Sequence, residues 1–414
     1  MLKGFRSFSI LSVLCLLIAS FTHGGAFLGA VQDQGGQVFN VTAYGWSADG
    51  TDHSSQMNNI LNLACTAGAV GGTIYFPPSS GHYRADSEML IPNNGASPQP
   101  KQCNLRLTGA GGGGGWYNNN INQQPPLGAT ILDLRYTAVD GSAKIETRGL
   151  GTLKIDDLSI IDGGASNATP FIHTTNTTLV IRDSFFKGSG SATQDAIVLG
   201  GTSTTLDGSL NAAFQGYGTI IDGNTFAKLN RGIYARTFAN SVRVSNNSWP
   251  IGATGTRAME FDGSTNQLIG ESVYANLIEM DQYQYGVYLT AVADSVFTGN
   301  HFYDNGVNVV NYYNIAGSSA KNVFVLGHDE SSPGTVPVFG GTSQGGQFII
   351  GNEWVSVQFQ NTVFANLPTC TAAFKGGQTV ITDSPTVTFN ATISVGGGSN
   401  VVNALCNGSN WTVH

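Results

Sequence analysis

The hexapeptide IDGNTF at residues 221–226 has six relatives in the chain, which begin at residues 155, 181, 244, 269, 297 and 349. Most have an apolar residue, a turn-forming pair, a small or polar residue and a further apolar residue. Most of them recur at intervals of about 25 residues, as expected for one coil of a solenoid. Asparagine is frequent at the fourth position, where it suits a tight corner and can hydrogen-bond from coil to coil. The predicted corner residues are Leu158, Ser184, Asn224, Asn247, Ser272, Asn300 and Asn352.

A second repeated strand follows several of these corners, at 195–201, 231–237, 257–263, 285–291 and 307–313. Alternation along a strand assigns its side chains to two faces. The predicted inward set is Ile197, Leu199, Ile233, Ala235, Met259, Phe261, Val287 and Leu289, and the predicted outward set includes Val198, Tyr234, Arg236, Glu260, Asp262, Tyr288 and Thr290. Because successive coils lie about 4.8 Å apart, the outward side chains should form one continuous surface.

The segment at residues 54–67 predicts a short amphipathic helix. Its apolar residues Met57, Ile60, Leu61 and Ala64 have the i, i+3, i+4, i+7 spacing of one helix face. Either Asp52 or Ser54 could cap its start. A solenoid exposes its core at each end, so we expect this helix to cover the first coil.

The stretch FNVTAYGWSADGTDHSS and the later GGTIYFPPSSGHYR, within residues 39–84, resemble the N-terminal entry of a known family. That family is the pectate-lyase superfamily of right-handed parallel β-helices, in its rhamnogalacturonase and epimerase-like branch, a fold also found in phage tail-spike proteins. LRLTGAGGGGG (105–115) and ATILDL (129–134) resemble its next coil, and Trp46 and His53 depart from its pattern. The matching residues are Asn40, Val41, Tyr44, Gly45, Asp49, Gly50, Asp52, Gly71, Gly72, Phe76, Pro77, Pro78, Gly81 and Tyr83.

The resemblance implies an all-β, right-handed parallel β-helix over residues 38–355, with the helix as a short N-terminal cap. It also implies that the strands at 195–201 and 231–237 belong to the first sheet, where sugar-cleaving members place their acids. Trimers occur among such proteins, but nothing in this sequence requires one. Residues 366–414 differ in style and are similar to a small β module that ends some phage tail proteins and secreted bacterial enzymes, which we expect to cap the last coil.

The charge balance, the N-terminal segment and the cysteines limit where the protein is located and what it binds. Acidic residues exceed basic ones by 26 to 18, which argues against a nucleic-acid partner. Residues 1–26 read as a signal peptide too short for a membrane anchor, which predicts a secreted, extracellular protein without a membrane contact. Four cysteines remain after its removal, and three pairings are open, of which the simplest joins Cys65 to Cys103 and Cys370 to Cys406.

The outward face of the repeated strand supplies the candidate acids. Glu260 and Asp262 are two residues apart, which separates their backbones by about 6.6–6.8 Å, and Asp195 begins a strand two coils earlier. Glycosidases need two carboxyl groups about 5–5.5 Å or about 6.5–9.5 Å apart. Tyrosine faces suit sugar rings, and arginines suit uronate carboxylates. The candidate substrate-binding residues are Arg231, Tyr234, Arg236, Arg257, Tyr288 and Tyr313.

Other charged positions favour structural roles. The Asp156, Arg182 and Asp222 column is interpreted as a stack of alternating charges between coils. No cofactor is expected, although a lyase could use calcium, and Glu279 and Asp281 lack a diagnostic calcium spacing. His173, His301 and His328 have no obvious partner in the sequence. Around Asp195 and residues 230–235 the chain lacks the second Asp and the His of polygalacturonases, which that family's activity would require.

Two functions therefore remain open. One is a secreted enzyme, a hydrolase or a lyase, that cleaves an extracellular and in some cases uronate-containing polysaccharide by acid–base catalysis through Glu260, Asp262 and Asp195. The other is a non-catalytic polysaccharide-binding or structural β-helix of the tail-spike or adhesin kind. A line of Tyr234, Glu260 and Tyr288 on one wall is the geometry on which both depend.

Overall fold

The structure is a computed structural model, and it describes the chain from Gln37 onward with gaps. The expected signal segment, the corner residue Asn352 and the side chains of Asp281 and His328 lie outside the described residues. The described residues are 37–65, 71–91, 103–111, 125, 128–138, 142–147, 151–164, 167–174, 177–200, 218–236, 239–251, 257–280, 282–303, 308–325, 339–342, 347–350, 361–367, 369–372 and 375–414.

Three parallel sheets run along the solenoid, and we number them by the order that the resemblance implied. Within the described residues, sheet 1 has nine strands, sheet 2 has eleven and sheet 3 has eight. In each sheet the strands lie in the same order as in the sequence, so each strand pairs with its equivalents one coil before and after. This is the topology of a parallel β-helix, and parallel crossovers are right-handed in almost all proteins.

Each of the three sheets is built from short strands. The strands of sheet 1 are Met89–Ile91, Ile145–Thr147, Ile172–Thr174, Asp195–Leu199, Arg231–Arg236, Arg257–Asp262, Tyr285–Thr290, Asn311–Ala316 and Phe339–Gly340. Those of sheet 2 are Gln37–Asn40, Gly71–Tyr75, Asn104–Thr108, Gly151–Asp156, Thr177–Arg182, Ile220–Asp222, Arg243–Ser245, Ser272–Tyr274, Val296–Thr298, Val323–Val325 and Phe348–Ile350. Those of sheet 3 are His82–Ala85, Ile131–Leu134, Ser159–Ile161, Phe185–Lys187, Thr225–Ala227, Ser248–Ile251, Leu277–Glu279 and His301–Tyr303.

Asparagines form a ladder at the corner between sheets 2 and 3. The backbone N–H of Asn224 donates to Oδ1 of Asn247 at 2.8 Å, and that of Asn247 donates to Oδ1 of Asn276 at 3.0 Å. The backbone N–H of Asn276 donates in turn to Oδ1 of Asn300 at 3.2 Å. The rungs are 23, 29 and 24 residues apart along the chain. These bonds satisfy backbone groups that a tight buried corner would otherwise leave unpaired.

One predicted corner residue is wrong. Ser272 begins a strand of sheet 2, in register with Arg243, and the corner of this coil is formed by Asn276. The hexapeptide at 269–274 has the apolar spacing of the repeat, but it lies one strand too early. Spacing alone could not tell the two apart, because both segments alternate apolar and polar residues.

The core is a set of stacked columns inside the three sheets. In sheet 1 the register pairs Ile197 with Ile233, Ile233 with Met259 and Met259 with Val287, and all four are buried. This confirms the predicted inward face. In sheet 3 the rings of Phe186, Phe226 and Trp249 stack with centroids 5.4 and 4.9 Å apart.

The predicted N-terminal helix is α1, Ser54–Ala64, and it buries Met57, Ile60, Leu61 and Ala64 as expected. Oδ1 of Asp52 accepts from the backbone N–H groups of Ser54, at 3.1 Å, and Asp86, at 2.9 Å. A disulfide between Cys65 and Cys103 ties the end of the helix to the residue before a sheet 2 strand. A short 3-10 turn, Val41–Tyr44, precedes the helix.

The charged column on the outer face of sheet 2 also lies as predicted. Asp156 pairs in register with Arg182, and Arg182 with Asp222, on successive strands. The ion pair of Asp156 is made with Arg106, at 2.8 Å, on the preceding coil. Arg106 is not in the column itself, because its register partner is Lys154, and it reaches Asp156 diagonally from the preceding coil.

A separate small sheet forms the C-terminal module, with its own buried cluster. Its first strand begins before the predicted boundary at residue 366, and a 3-10 turn follows at Phe364–Asn366. Cys370 and Cys406 form its disulfide, so both predicted pairings are confirmed. In spatial order the strands of the module are Asn361–Thr362, Gln378–Ser384, Asn400–Cys406, Trp411–Val413 and Thr392–Ile393.

Within the solenoid, a further two-stranded parallel sheet is formed by Leu268–Ile269 and Val292–Ala293.

Candidate functional site

The outer face of sheet 1 carries the residues that the sequence singled out. Tyr234 pairs in register with Glu260, and Glu260 with Tyr288, on three successive strands. The same column continues to Val198 on one side and Asn314 on the other. The predicted vertical line of tyrosine, glutamate and tyrosine is therefore confirmed.

A network of alternating charges crosses three coils of this face. Arg231 binds Asp195 through two bonds, Nε to Oδ1 at 2.9 Å and Nη2 to Oδ2 at 2.6 Å. Its remaining Nη1 donates to Oε2 of Glu260 at 2.5 Å, and Nη1 of Arg257 donates to the other oxygen, Oε1. Although burial opposes its charge, contact with Asp195 and Glu260 raises the pKa of Arg231. Two acids and two bases thus neutralise each other within the protein.

Near the start of the strands Arg231–Arg236 and Arg257–Asp262, two successive residues face the core, which brings Arg231 and Arg257 to the outer face. A Cβ atom at Gly232 would lie 2.2 Å from Nε1 of Trp249, so this position faces the core. Ala258, at the equivalent position of the next coil, is also fully buried. Arg231 and Tyr234 are therefore both outward although three residues apart, and small residues are needed between them.

Each guanidinium of the network also lies over a tyrosine ring. The Arg231 guanidinium carbon is 3.6 Å from the centroid of the Tyr234 ring, and that of Arg257 is 3.8 Å from the Tyr288 centroid. Tyr285 packs edge-on against Tyr288, with centroids 5.1 Å apart. All three tyrosines are half-buried. Cation–π contacts of this kind fix the orientation of the rings while part of their surface stays accessible.

Asp262 and Arg236 lie beside the network but outside it. They are register partners on neighbouring strands, and both are half-buried. Asp262 accepts from the backbone N–H of Ser264 at 3.0 Å and from the Tyr234 hydroxyl at 3.4 Å. Arg236 lies 5.5 Å from the Tyr234 ring centroid, and it makes no ion pair with any residue that the structure describes. They are the acid and the base of this face that the network leaves available.

Tyr313 does not belong to this surface, so its expected outward position is wrong. Its register partner is Val287, on the inward column, and only 1% of the residue is exposed. Its hydroxyl accepts from Nδ2 of Asn300 at 3.2 Å, inside the core. The strand Asn311–Ala316 begins later than the predicted segment at 307–313, and Asn314 takes the outward place.

His173 and Glu146 form a pair on the same face that sequence reasoning missed. They are register partners at the foot of the Tyr234 column, and Nδ1 of His173 is 3.0 Å from both oxygens of Glu146. Nε2 of His173 is 3.1 Å from the carbonyl oxygen of Gly200. Both ring nitrogens therefore face acceptors, which requires a doubly protonated imidazolium. Burial opposes this charge, but hydrogen bonding to Glu146 raises the pKa of His173.

The signal that could have found this pair is the alignment of IET at 145–147 with IHT at 172–174. Both segments lack the asparagine corner that marked the later coils, so neither entered the repeat. No group of three or more metal-ligating side chains occurs among the described residues. Nor does that part of the chain contain a helix long and apolar enough to cross a membrane.

Comparison with solved structures finds remote similarity. DFA-IIIase from Arthrobacter chlorophenolicus A6 in complex with GF2 is 16% identical over 72% of this chain and 72% of its own, with a TM-score of 0.43. The same enzyme in complex with DFA-III is 14% identical over 77% and 85% of the two chains, with a TM-score of 0.44.

The phiAB6 tailspike, in complex with oligosaccharides of Acinetobacter baumannii surface polysaccharide, is 17% identical with a TM-score of 0.47. The match covers 92% of this chain and 56% of the tailspike. No protein-family model and no curated protein matches the chain. The description of the fold therefore rests on the strand registers above.

Proposed function

We propose that this protein binds an extracellular polysaccharide through the outer face of sheet 1. The observation that carries the proposal is the fixed pair of half-buried rings, Tyr234 and Tyr288, on one column. They lie two coil steps apart, or about 9.6 Å. A ligand that stacks on both rings must therefore be longer than one sugar unit and must cross the strands. The two disulfides fit an oxidising, extracellular setting.

Arg236 is the side chain best suited to an acidic sugar. The donors of Arg231 are used by Asp195 and Glu260, whereas Arg236 has no carboxylate partner among the described residues. A guanidinium can hold a carboxylate with two parallel hydrogen bonds. A uronate-containing chain would therefore place its charge at Arg236 and its ring faces at the tyrosines.

Binding to a panel of uronate-containing and neutral polysaccharides tests this proposal. Tyr288→Ala should weaken binding about two- to tenfold, since an aromatic contact contributes about 0.5–1.5 kcal/mol. Tyr303→Ala is the matched control, because Tyr303 is 45% exposed on sheet 3, away from the column. An equal loss in both variants, or no binding to any polysaccharide, would reject the assigned surface.

Cleavage is the second candidate, and Asp262 is the observation that favours it. Within the described part of the chain this half-buried acid has no guanidinium partner, and the Tyr234 hydroxyl is beside it. Both oxygens of Glu260 and of Asp195 accept from arginines, so a proton-transfer role for either would require that network to open. Asp262 would then be the general acid, and Glu260 or Asp195 the second carboxyl.

Assays for new reducing ends and for unsaturated sugars, each with and without calcium, separate the two candidates. Cleavage predicts product from the wild type and loss of at least a hundredfold in Asp262→Asn. Binding that yields neither product would leave the surface as a binding site alone. Full activity in Asp262→Asn would exclude this residue from catalysis.

A further inference from the structure

A second ladder of side chains runs along the corner that precedes sheet 2. The backbone N–H of Ser295 donates to Oδ1 of Asn322, and that of Asn322 donates to Oε1 of Gln347, both at 3.1 Å. The backbone N–H of Glu271 donates to Oγ of Ser295 at 2.9 Å, and that of Val242 donates to Oε2 of Glu271 at 2.7 Å. Each side chain thus accepts from the backbone of the coil before it.

The amide rungs of this ladder also donate. Nδ2 of Asn322 donates to the carbonyl of Val292 at 2.8 Å, and Nε2 of Gln347 donates to that of Ser319 at 2.9 Å. Glu271 occupies an equivalent rung with a carboxyl group instead of an amide. Its Oε1 is buried and has no hydrogen-bond partner among the residues that the structure describes. Glu271 therefore has a carboxyl oxygen at the position in the ladder where Asn322 and Gln347 have an N–H donor.

The surroundings of Glu271 do not support a negative charge. Only 1% of the residue is exposed, and burial raises its pKa well above the ordinary value. The charged side chains on the elements packed against it are Arg243, Asp294 and Lys321, and all three are exposed. Arg243 turns outward over the Tyr274 ring, 5.2 Å away. A buried carboxylate without a counter-ion is costly, so the group should hold its proton.

We propose that Glu271 is a neutral carboxylic acid in the folded protein at neutral pH, and that its Oε1–H donates to a backbone carbonyl of the preceding coil. The proton then completes the rung that an amide completes in Asn322 and Gln347. This bond joins the coil that carries Glu260 to the preceding coil, which carries Tyr234. Alkaline solution should therefore weaken the attachment of these two coils.

The pH dependence of unfolding in wild type and Glu271→Gln tests the proposal. Because the pKa is raised in the folded state, the stabilising effect of the proton is complete below about pH 4.3 and is lost as the pH rises through the folded-state pKa. Over that interval the folding constant of the wild type should fall about tenfold per pH unit relative to the glutamine variant. Asp294→Asn, an exposed acid at the same corner, is the matched control and should keep the wild-type slope.

An isotope-edited infrared measurement gives a test that needs no variant to fold. With ¹³C-labelled glutamate carboxyl groups, the infrared spectrum of the wild type at neutral pH should contain the C=O stretching band of a protonated carboxyl, and this band should shift when the protein is transferred to heavy water.

Asn322→Asp should add a second pH-dependent loss of stability on the same ladder. A pH-independent ratio together with no protonated band would mean that Glu271 is ionised and hydrated by a buried water, which would overturn the proposal.

Discussion

Two buried glutamates on the same coil have opposite environments. Glu260, on the outer face of sheet 1, is 4% exposed and has a guanidinium on each oxygen. Glu271, at the corner before sheet 2, is 1% exposed and receives only backbone N–H groups on one oxygen. The same residue type is therefore held as an ion in one region and is expected to be neutral in the other.

The difference follows from the position of each residue within a coil. On a strand, outward side chains have neighbours along their own strand and on the adjacent coil, so Arg257 reaches Glu260 along the same strand and Arg231 reaches it from the preceding one. At a corner, the neighbours of a side chain are the backbone groups of the next coil, which a neutral donor or acceptor suits best. Burial by itself thus does not decide the charge of an acid in this fold.

The largest expected effect is the removal of the shared guanidinium. Arg231→Met leaves Asp195 and Glu260 as buried acids that have lost their common partner, which should reduce the free energy of unfolding by about 3–5 kcal/mol. Equilibrium denaturation in urea measures it. Arg236→Met is the control, since this half-buried guanidinium has no ion pair among the described residues, and it should change stability by about 0.5 kcal/mol or less. Equal losses in the two variants would contradict the network.

The corner ladder should give the next largest effect. Asn247→Ala removes the acceptor for the Asn224 backbone N–H and the donor to the Ile221 carbonyl, both buried. Each unsatisfied buried group costs about 1–3 kcal/mol, so the two together should reduce the free energy of unfolding by at least about 2 kcal/mol. The same denaturation experiment on Asn266→Ala, an exposed loop position, should show almost no change. If Asn247→Ala reduced the free energy of unfolding no more than Asn266→Ala does, the corners would not depend on their asparagines.

The smallest effect is the pH response of His173. Its pKa is raised in the folded protein, so its stabilising charge is fully present below about pH 6.5 and is lost as the pH rises through the folded-state pKa. The expected loss is about 1.5 kcal/mol, the lower end for a hydrogen bond to a charged group. Glu146→Gln should remove this pH dependence, because it removes the negative partner. A wild type whose stability does not fall above neutral pH would argue against the imidazolium.

The sequence anticipated the solenoid well, because its evidence is local and repeated. The asparagine corners, the inward apolar columns and helix α1 follow from spacing and alternation. The even cysteine count predicted disulfides but left three pairings open, and the structure has the simplest of them. The errors occurred where one segment imitated another, as with Ser272 in place of Asn276. Tyr313 was misplaced because its strand begins at Asn311 and not at the predicted residue 307, which makes Tyr313 the register partner of the buried Val287.

The sequence by itself determined that the chain winds in coils and which side chains of each coil face outward near Glu260. Only the tertiary structure decided how those side chains pair, because an arginine on one strand can reach an acid on either neighbouring coil. It also joined His173 to Glu146 and left one oxygen of Glu271 without a donor. These contacts depend on the vertical neighbours of a residue, which lie about 25 residues away in the chain.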